Sequence, residues 1–339
     1  MMALPQNKLW NWLVVVVLAL SLLGLLMLTS CEKEEPLWKL PPPGAEETDQ
    51  VGMGETYETT VFYKFSTKTQ IERNLNTWHL QFESAPTGWH IRMNGGRAMQ
   101  IWNTGSTNFA QVIAADDDSN WDWDISDGND DSTAIGQWFT DNLTRQSKLE
   151  VYVIDMGLAA SPKYKKMQIL GVSDTAYIIK YANLDNTAEQ TLLVRKNTAI
   201  NSTYLDMVTG KTVAYEPAPQ DYDIVFTRYR YIFYEEAGVT PYLVNGALLN
   251  PVNTLGLKSD STNFEKVDYE MIKDRPLTAA EDIIGYDWKY YDFDLSLYTI
   301  VPHLFIVKDA GGNLWKLQFY DFYNDAGTKG YPKFKFQRL

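Results

Sequence analysis

The chain carries few side chains able to do chemistry. It has three histidines (His79, His90 and His303), ten methionines and one cysteine, Cys31. Imidazole nitrogens and thioether sulfurs ligate transition metals, whereas a lone thiol has no disulfide partner and no companions for a thiolate metal site. His79 and His90 stand in "WHLQF" (78–82) and "WHIRM" (89–93), two stretches joined by the turn at 84–88. With Trp78, Leu80 and Phe82 facing a core, His79 faces out; with Trp89, Ile91 and Met93 inward, so does His90. Two imidazoles on one face of a hairpin could grip a metal, although such positions are more often plain strand surface. His303 follows Pro302 and alternates with Phe305 and Val307, which points to a half-buried structural histidine. Met93, Met99, Met167, Met207 and Met271 could offer thioethers, but at strand spacing they read as gap-filling core.

Other chemistry has a weaker basis. The aspartate-rich stretch "DDDSNWDWDISDGNDD" (116–131) could supply oxygen ligands to calcium, but no window has the EF-hand spacing, so calcium is not expected and a solvated acidic loop is the plainer reading. Trp121 and Trp123 within it either pin the loop onto a sheet or offer a flat platform to a sugar or macrocycle. There is no Gly-x-Ser-x-Gly, His-Glu-x-x-His, P-loop or dinucleotide fingerprint. Glu235-Glu236 could serve glycoside hydrolysis only if two carboxyls stood about 5–10 Å apart in a cleft. The chain therefore reads as a non-enzyme, with no catalytic residues. A net charge of −13 argues against a nucleic-acid partner.

The elements that must position these groups are strands. Eleven Trp, 21 Tyr and 14 Phe accompany frequent Val and Thr, a composition that suits pleated surfaces. Alternating runs predict strands at 57–65, 78–82, 89–93, 149–154, 176–181, 191–196, 222–233, 288–293, 303–309, 314–322 and 333–339. Helix is expected only at 134–146, after the capping residues Asp131-Ser132-Thr133, and at 278–284. Similar strand–turn–strand units at 164–184 and 301–322, and at 63–82 and 205–226, suggest a tandem repeat, 51–198 and 199–339. The alternative is one large sandwich whose strands look alike.

The first fifty residues read as an address and a tether. Lys8 precedes the apolar run "LVVVVLALSLLGLLML" (13–28), a signal peptide over 1–30. Leu28-Thr29-Ser30-Cys31 resembles the bacterial lipobox, whose cysteine becomes acylated; each buried methylene adds roughly 0.8 kcal/mol, so several chains anchor stably. Glu32-Lys33-Glu34-Glu35 resembles the signal that sends lipoproteins of Bacteroidetes to the outer face of the outer membrane. Pro36 and "PPPG" (41–44) then form a stiff tether within 31–50.

In the second half, "YLDMVTGKTVAYEPAPQDYDIVFTRY" (204–229) resembles the opening of HmuY-type lipoproteins of Bacteroidetes, with Tyr222 to Tyr229 in the place of that family's Trp-Asp-hydrophobic-x-Phe-x-Arg-Tyr strand. Trp288 and "YTIVPHLFIVKDAGGNLWKLQFYDFYNDAGTKGYPKFKFQRL" (298–339) resemble its closing tryptophan and strands. The match covers 204–339, and the first half reads as a diverged copy. The resemblance implies an all-β antiparallel body and capture of haem, or a related porphyrin, between two axial His or Met side chains for a TonB-dependent receptor. The ligand positions depart from the pattern. Past Trp288 stands Tyr291-Asp292-Phe293-Asp294, without His or Met, and upstream the one soft donor is Met271. Met271, His303, His79 and His90 are thus the axial candidates. The alternative is a binding or adhesion module for a glycan or protein that has lost haem ligation.

Overall fold

The computed structural model describes residues 10, 12, 14–18, 42–115, 120–236 and 238–339. Cys31, the residues flanking it and Asp116–Ser119 lie outside the described residues. Among the described residues no helix is long and apolar enough to cross a membrane.

From Pro43 onward the chain is all-β, as its alternation predicts, and every strand pairing is antiparallel. The first half runs β1 (Glu47–Gln50), β2 (Thr59–Lys64), β3 (Thr69–Asn74), β4 (Leu80–Glu83), β5 (Ile91–Met93), β6 (Gln100–Asn103), β7 (Val151–Asp155), β8 (Tyr164–Val172) and β9 (Ala176–Asn183). The second runs β10 (Gln190–Arg195), β11 (Ser202–Asp206), β12 (Lys211–Val213), β13 (Ile224–Glu235), β14 (Gly238–Leu249), β15 (Leu255–Lys258), the hairpin β16 (Lys289–Asp292) and β17 (Leu297–Ile300), β18 (Leu304–Lys308), β19 (Leu314–Tyr323) and β20 (Lys329–Arg338).

These strands build two sandwiches. In one, the sheet β10-β9-β8-β7-β6 packs on the sheet β12-β11-β4-β5 around Leu80, Phe82, Ile91, Ile154, Tyr177 and Leu205. In the other, β1-β20-β19-β18-β15 packs on β14-β13-β2-β3 around Val61, Tyr63, Phe226, Trp288, Phe319 and Phe334. Trp288 is fully buried and stacks on Phe319 at 3.9 Å. The two four-stranded sheets turn their second faces toward each other. Phe62, Trp78, Tyr204, Tyr215 and Tyr222 cluster there. The alternation is visible residue by residue: Val61 and Tyr63 enter one sandwich core while Phe62 enters the layer between the sandwiches.

The pairing exchanges strands between the halves. β2 pairs with β13, β1 with β20 and β11 with β4. β1–β3 thus complete the sandwich of the later strands, and β10–β12 complete that of β4–β9. A second correspondence lies in two loops of nearly the same sequence, "STNFAQV" (106–112) and "STNFEKV" (261–267). The Lys166 ammonium donates to the Phe109 and Val112 carbonyls, both at 2.8 Å, and Lys316 to those of Phe264 and Val267, at 2.7 and 3.1 Å. Gln168 and Gln318 hold Thr107 and Thr262 in the same manner. Phe109 lies between Lys166 and Lys180, and Phe264 between Lys316 and Lys335.

β14 is an edge strand with a guarded rim. Ala247 exchanges both backbone hydrogen bonds with Gly285 outside the sheet. Pro241, six residues earlier and so pointing the same way, offers no N–H there.

Two local expectations fail. Residues 134–146 form no helix: Phe139 bridges Ser147, Lys148 N donates to the Trp138 carbonyl, and Trp138 and Phe139 are buried. Non-local pairing of these two aromatics outweighs the local helical pattern. At 278–284 only the short 3-10 turn Glu281–Ile283 forms.

Candidate functional site

The two inner sheets do not meet along their whole length. Beside the aromatic cluster they leave a cleft of about 490 Å³, continued by a recess of about 160 Å³. The larger volume suits a small molecule. β4 and β5 present Gln81, Glu83, His90 and Arg92 from the face opposite the core residues Leu80, Phe82, Ile91 and Met93. Asn201 and Ser202 come from the start of β11, Asp130 and Gly128 from the aspartate-rich loop, and Glu281 from the short turn of the second half. Pro86, Pro219 and Pro251 stiffen the walls.

The aspartate-rich loop is a wall of this cleft. Asp122 exchanges two backbone hydrogen bonds with Ile101, and Asp124 caps the Met93 and Ala134 amides. Trp121 stacks on Tyr164 at 5.8 Å and Trp123 lies under Arg230, so both tryptophans pin the loop. Ser126 bonds Asp282 and the Asp127 carbonyl accepts from Glu281 N, which ties the loop to the second sandwich. Among the described residues no group of three or more His, Cys, Asp or Glu has metal-binding geometry.

Carboxylates dominate the cleft. Glu83 accepts from the Trp89 and His90 amides and meets His90 Nδ1 at 2.6 Å. Burial raises its affinity for a proton, but the hydrogen bonds from His90 and Trp89 outweigh burial and hold it below the usual carboxylate range. Asp130 takes Arg92 Nη2 at 2.8 Å. Glu216, in the recess, accepts from Tyr222 Oη, Asn201 Nδ2 and the Ser202 amide. Burial still pushes it up to about 7, against those donors. Glu281 is also pushed up to about 7, first by burial; Arg92 opposes this, and Glu216, Asp130 and Asp282 reinforce it.

The four sequence candidates do not converge. His90 lines the cleft, half-buried, its ring against Trp89 at 3.7 Å. His79 shares that sheet face but does not reach solvent. It is 3% exposed, with Nδ1 3.1 Å from Asp206 and 3.3 Å from Met207 N. The outward face of β4 is covered by protein, which alternation alone cannot reveal. Burial, then the Arg97 guanidinium, pushes this imidazole down to about 4, so it is neutral. Along the β4–β5 ladder His79 sits beside Asn94 and His90 beside Glu83. The two lie roughly 13 Å apart at strand rise, whereas two nitrogens across one metal are about 4 Å apart. Met271 is half-exposed on the helical turn Tyr269–Ile272. His303 is half-buried beside Phe305, 3.9 Å from Asp287, and its affinity for a proton is lowered by burial and by Lys258.

For a haem iron the donor set fits one axial imidazole and not two. Glu83 holds His90 Nδ1, the arrangement that orients a ligating histidine and leaves Nε2 as the donor atom. Among the described residues no second His or Met lines the larger volume; Met93 borders the recess but is packed into the core of the first sandwich. Sequence reasoning missed Glu83, Arg92, Asn201, Ser202, Glu216 and Glu281. The signal was the polar alternation Gln81-x-Glu83 and His90-x-Arg92, which reads equally well as a solvent face.

A family model described as HmuY protein matches residues 56–189 and 198–336. Among solved structures the chain is similar to apo PinO from Porphyromonas gingivitis, at 10% identity, covering 87% of this chain and 97% of that one with a TM-score of 0.33. It is also similar to the apo HmuY analog TFO of Tannerella forsythia, at 10% identity, covering 89% and 99% with a TM-score of 0.26. No curated protein matches the chain.

Proposed function

The chain belongs to the HmuY family, and from that premise we propose that it is a surface lipoprotein that captures haem or a related porphyrin, without catalysis, for a TonB-dependent receptor. Acyl chains on Cys31 hold it to the outer membrane, and the proline-rich tether lifts the body off the lipid. The cleft is the binding site. The observation that carries this reading is His90, an imidazole in the wall of a cavity of about 490 Å³ with Nδ1 held by Glu83. The halves 51–198 and 199–339 are copies of one unit, a reading supported by the paired family matches and the paired lysine clamps.

Titration of haemin into the protein tests this. A sharpened Soret band that His90→Ala abolishes, and that Met271→Ala, His303→Ala and His79→Ala leave in place, is the expected result. An unchanged band in the wild type sinks the haem reading. The acidic, amide- and hydroxyl-bearing lining favours a second reading, a hydroxylated ligand such as a glycan. Binding on a glycan array without a haemin response would select it.

A further inference from the structure

Each acid in the cleft but one has a hydrogen-bond donor. Glu83 has the ring and amide of His90, Asp130 has Arg92, and Glu216 has Tyr222, Asn201 and Ser202. Glu281 borders both the cleft and its inner recess. No donor among the described residues lies within hydrogen-bond distance of its carboxyl. Arg92 is near enough to act on it electrostatically, but directs Nη2 to the Gly128 carbonyl and to Asp130. The backbone makes room for the carboxylate: Gly128 has φ +77°, and a Cβ there would overlap the Glu281 oxygens. A carboxyl placed in a cavity wall, given space and bonded to no protein donor, keeps acceptor oxygens open to the cavity that an incoming molecule can use.

We propose that Glu281 is the cation-recognition point of the cleft, taking an ammonium group of a hydroxylated ligand while Gln81, Asn201 and Ser202 serve its hydroxyls. An amine-bearing sugar is the ligand class that fits. This rests on the cleft being the ligand site and sharpens the glycan reading. Arg92 at its side, with Glu216, Asp130 and Asp282 around it, leaves the local balance of charge negative, which favours a cation and opposes an anion.

Isothermal titration with the 2-aminoethyl glycoside of cellotetraose and its N-acetylated counterpart tests the idea, because the alkylammonium keeps its charge at pH 8 and the acetamide has none. The wild-type protein is expected to bind the aminated sugar at least tenfold more tightly at pH 8, and to lose that preference at pH 5.5, where Glu281 is protonated. Glu281→Gln, nearly isosteric, is expected to bind the two sugars alike at both pH values, with a thermal melt no lower than that of the wild type. A preference that survives Glu281→Gln, equal binding by the wild type, or failure of the wild type to bind the aminated sugar overturns the proposal. Binding of both sugars that Asn201→Ala leaves untouched removes the cleft itself as the site, a failure distinct from that of Glu281.

Discussion

Replacing Lys166 by Met and, separately, Lys316 by Met puts the paired clamps to a quantitative test. Lys166 is fully buried, and its ammonium donates to two backbone carbonyls and to Asn186 Oδ1. Lys316 is 4% exposed and donates to two carbonyls. Two effects compete. Exchanging a buried charge for a hydrophobe of similar length relieves desolvation, and where a whole ion pair is replaced this is often neutral or stabilising. Here the acceptors remain. Each buried carbonyl left without a donor costs about 1–3 kcal/mol, and the cation–π contact with Phe109 or Phe264 is lost as well. After the relief of desolvation, a net loss of about 3 kcal/mol is expected for Lys166→Met and about 2 kcal/mol for Lys316→Met, because one device operates twice. Guanidinium unfolding at pH 7 measures both. Lys273→Met, whose partner Glu270 lies at the surface, should cost under about 1 kcal/mol and serves as the control. A neutral or stabilising result at either clamp, or losses differing by more than about 2 kcal/mol, would refute the reasoning.

The remaining predictions concern the cleft and the sheet edge. Glu216 and Glu281 bind protons more tightly folded than unfolded, so stability is greatest below about pH 4.5 for these groups and falls as pH rises toward about 7. A shift from 4.5 to about 7 corresponds to at most about 3 kcal/mol per acid; urea midpoints for Glu281→Gln should accordingly exceed wild type at pH 8 and converge at pH 5, and parallel curves would contradict this. Gly128→Ala should lose about 2 kcal/mol through its left-handed backbone and the overlap with Glu281, read as a lowered thermal midpoint. Pro241→Thr restores an N–H on the open rim of β14 and should raise light scattering on concentration without lowering the melting temperature.

Much of the fold is legible in the sequence because strands announce themselves by period two. The runs at 222–233, 303–309 and 314–322 appear within a residue or two as β13, β18 and β19. Short or polar strands such as β3, "TQIERN", carry no such signal. Partner choice was invisible: nothing in "TTVFYK" says that it pairs with Ile224–Phe226 as well as with its neighbour in sequence. The site suffered from the same gap. Alternation assigned His90 to an outer face, and only the loops lying opposite it, at Pro251–Val252 and Ala279–Glu281, turn that face into a cleft. The repeated "STNF" loops were readable in the sequence, yet the halves were aligned on their strands, where any two alternating segments look alike.

The reciprocal pairing also bears on the order in which such a chain can fold. Glu47 finds its partner in Phe336, almost at the other end. Until the last strand is available β1 has nothing to pair with, and the sandwich around Trp288 cannot close piecemeal. Such long-range closure is slow and late. The sandwich therefore stays open until nearly the whole polypeptide is in place.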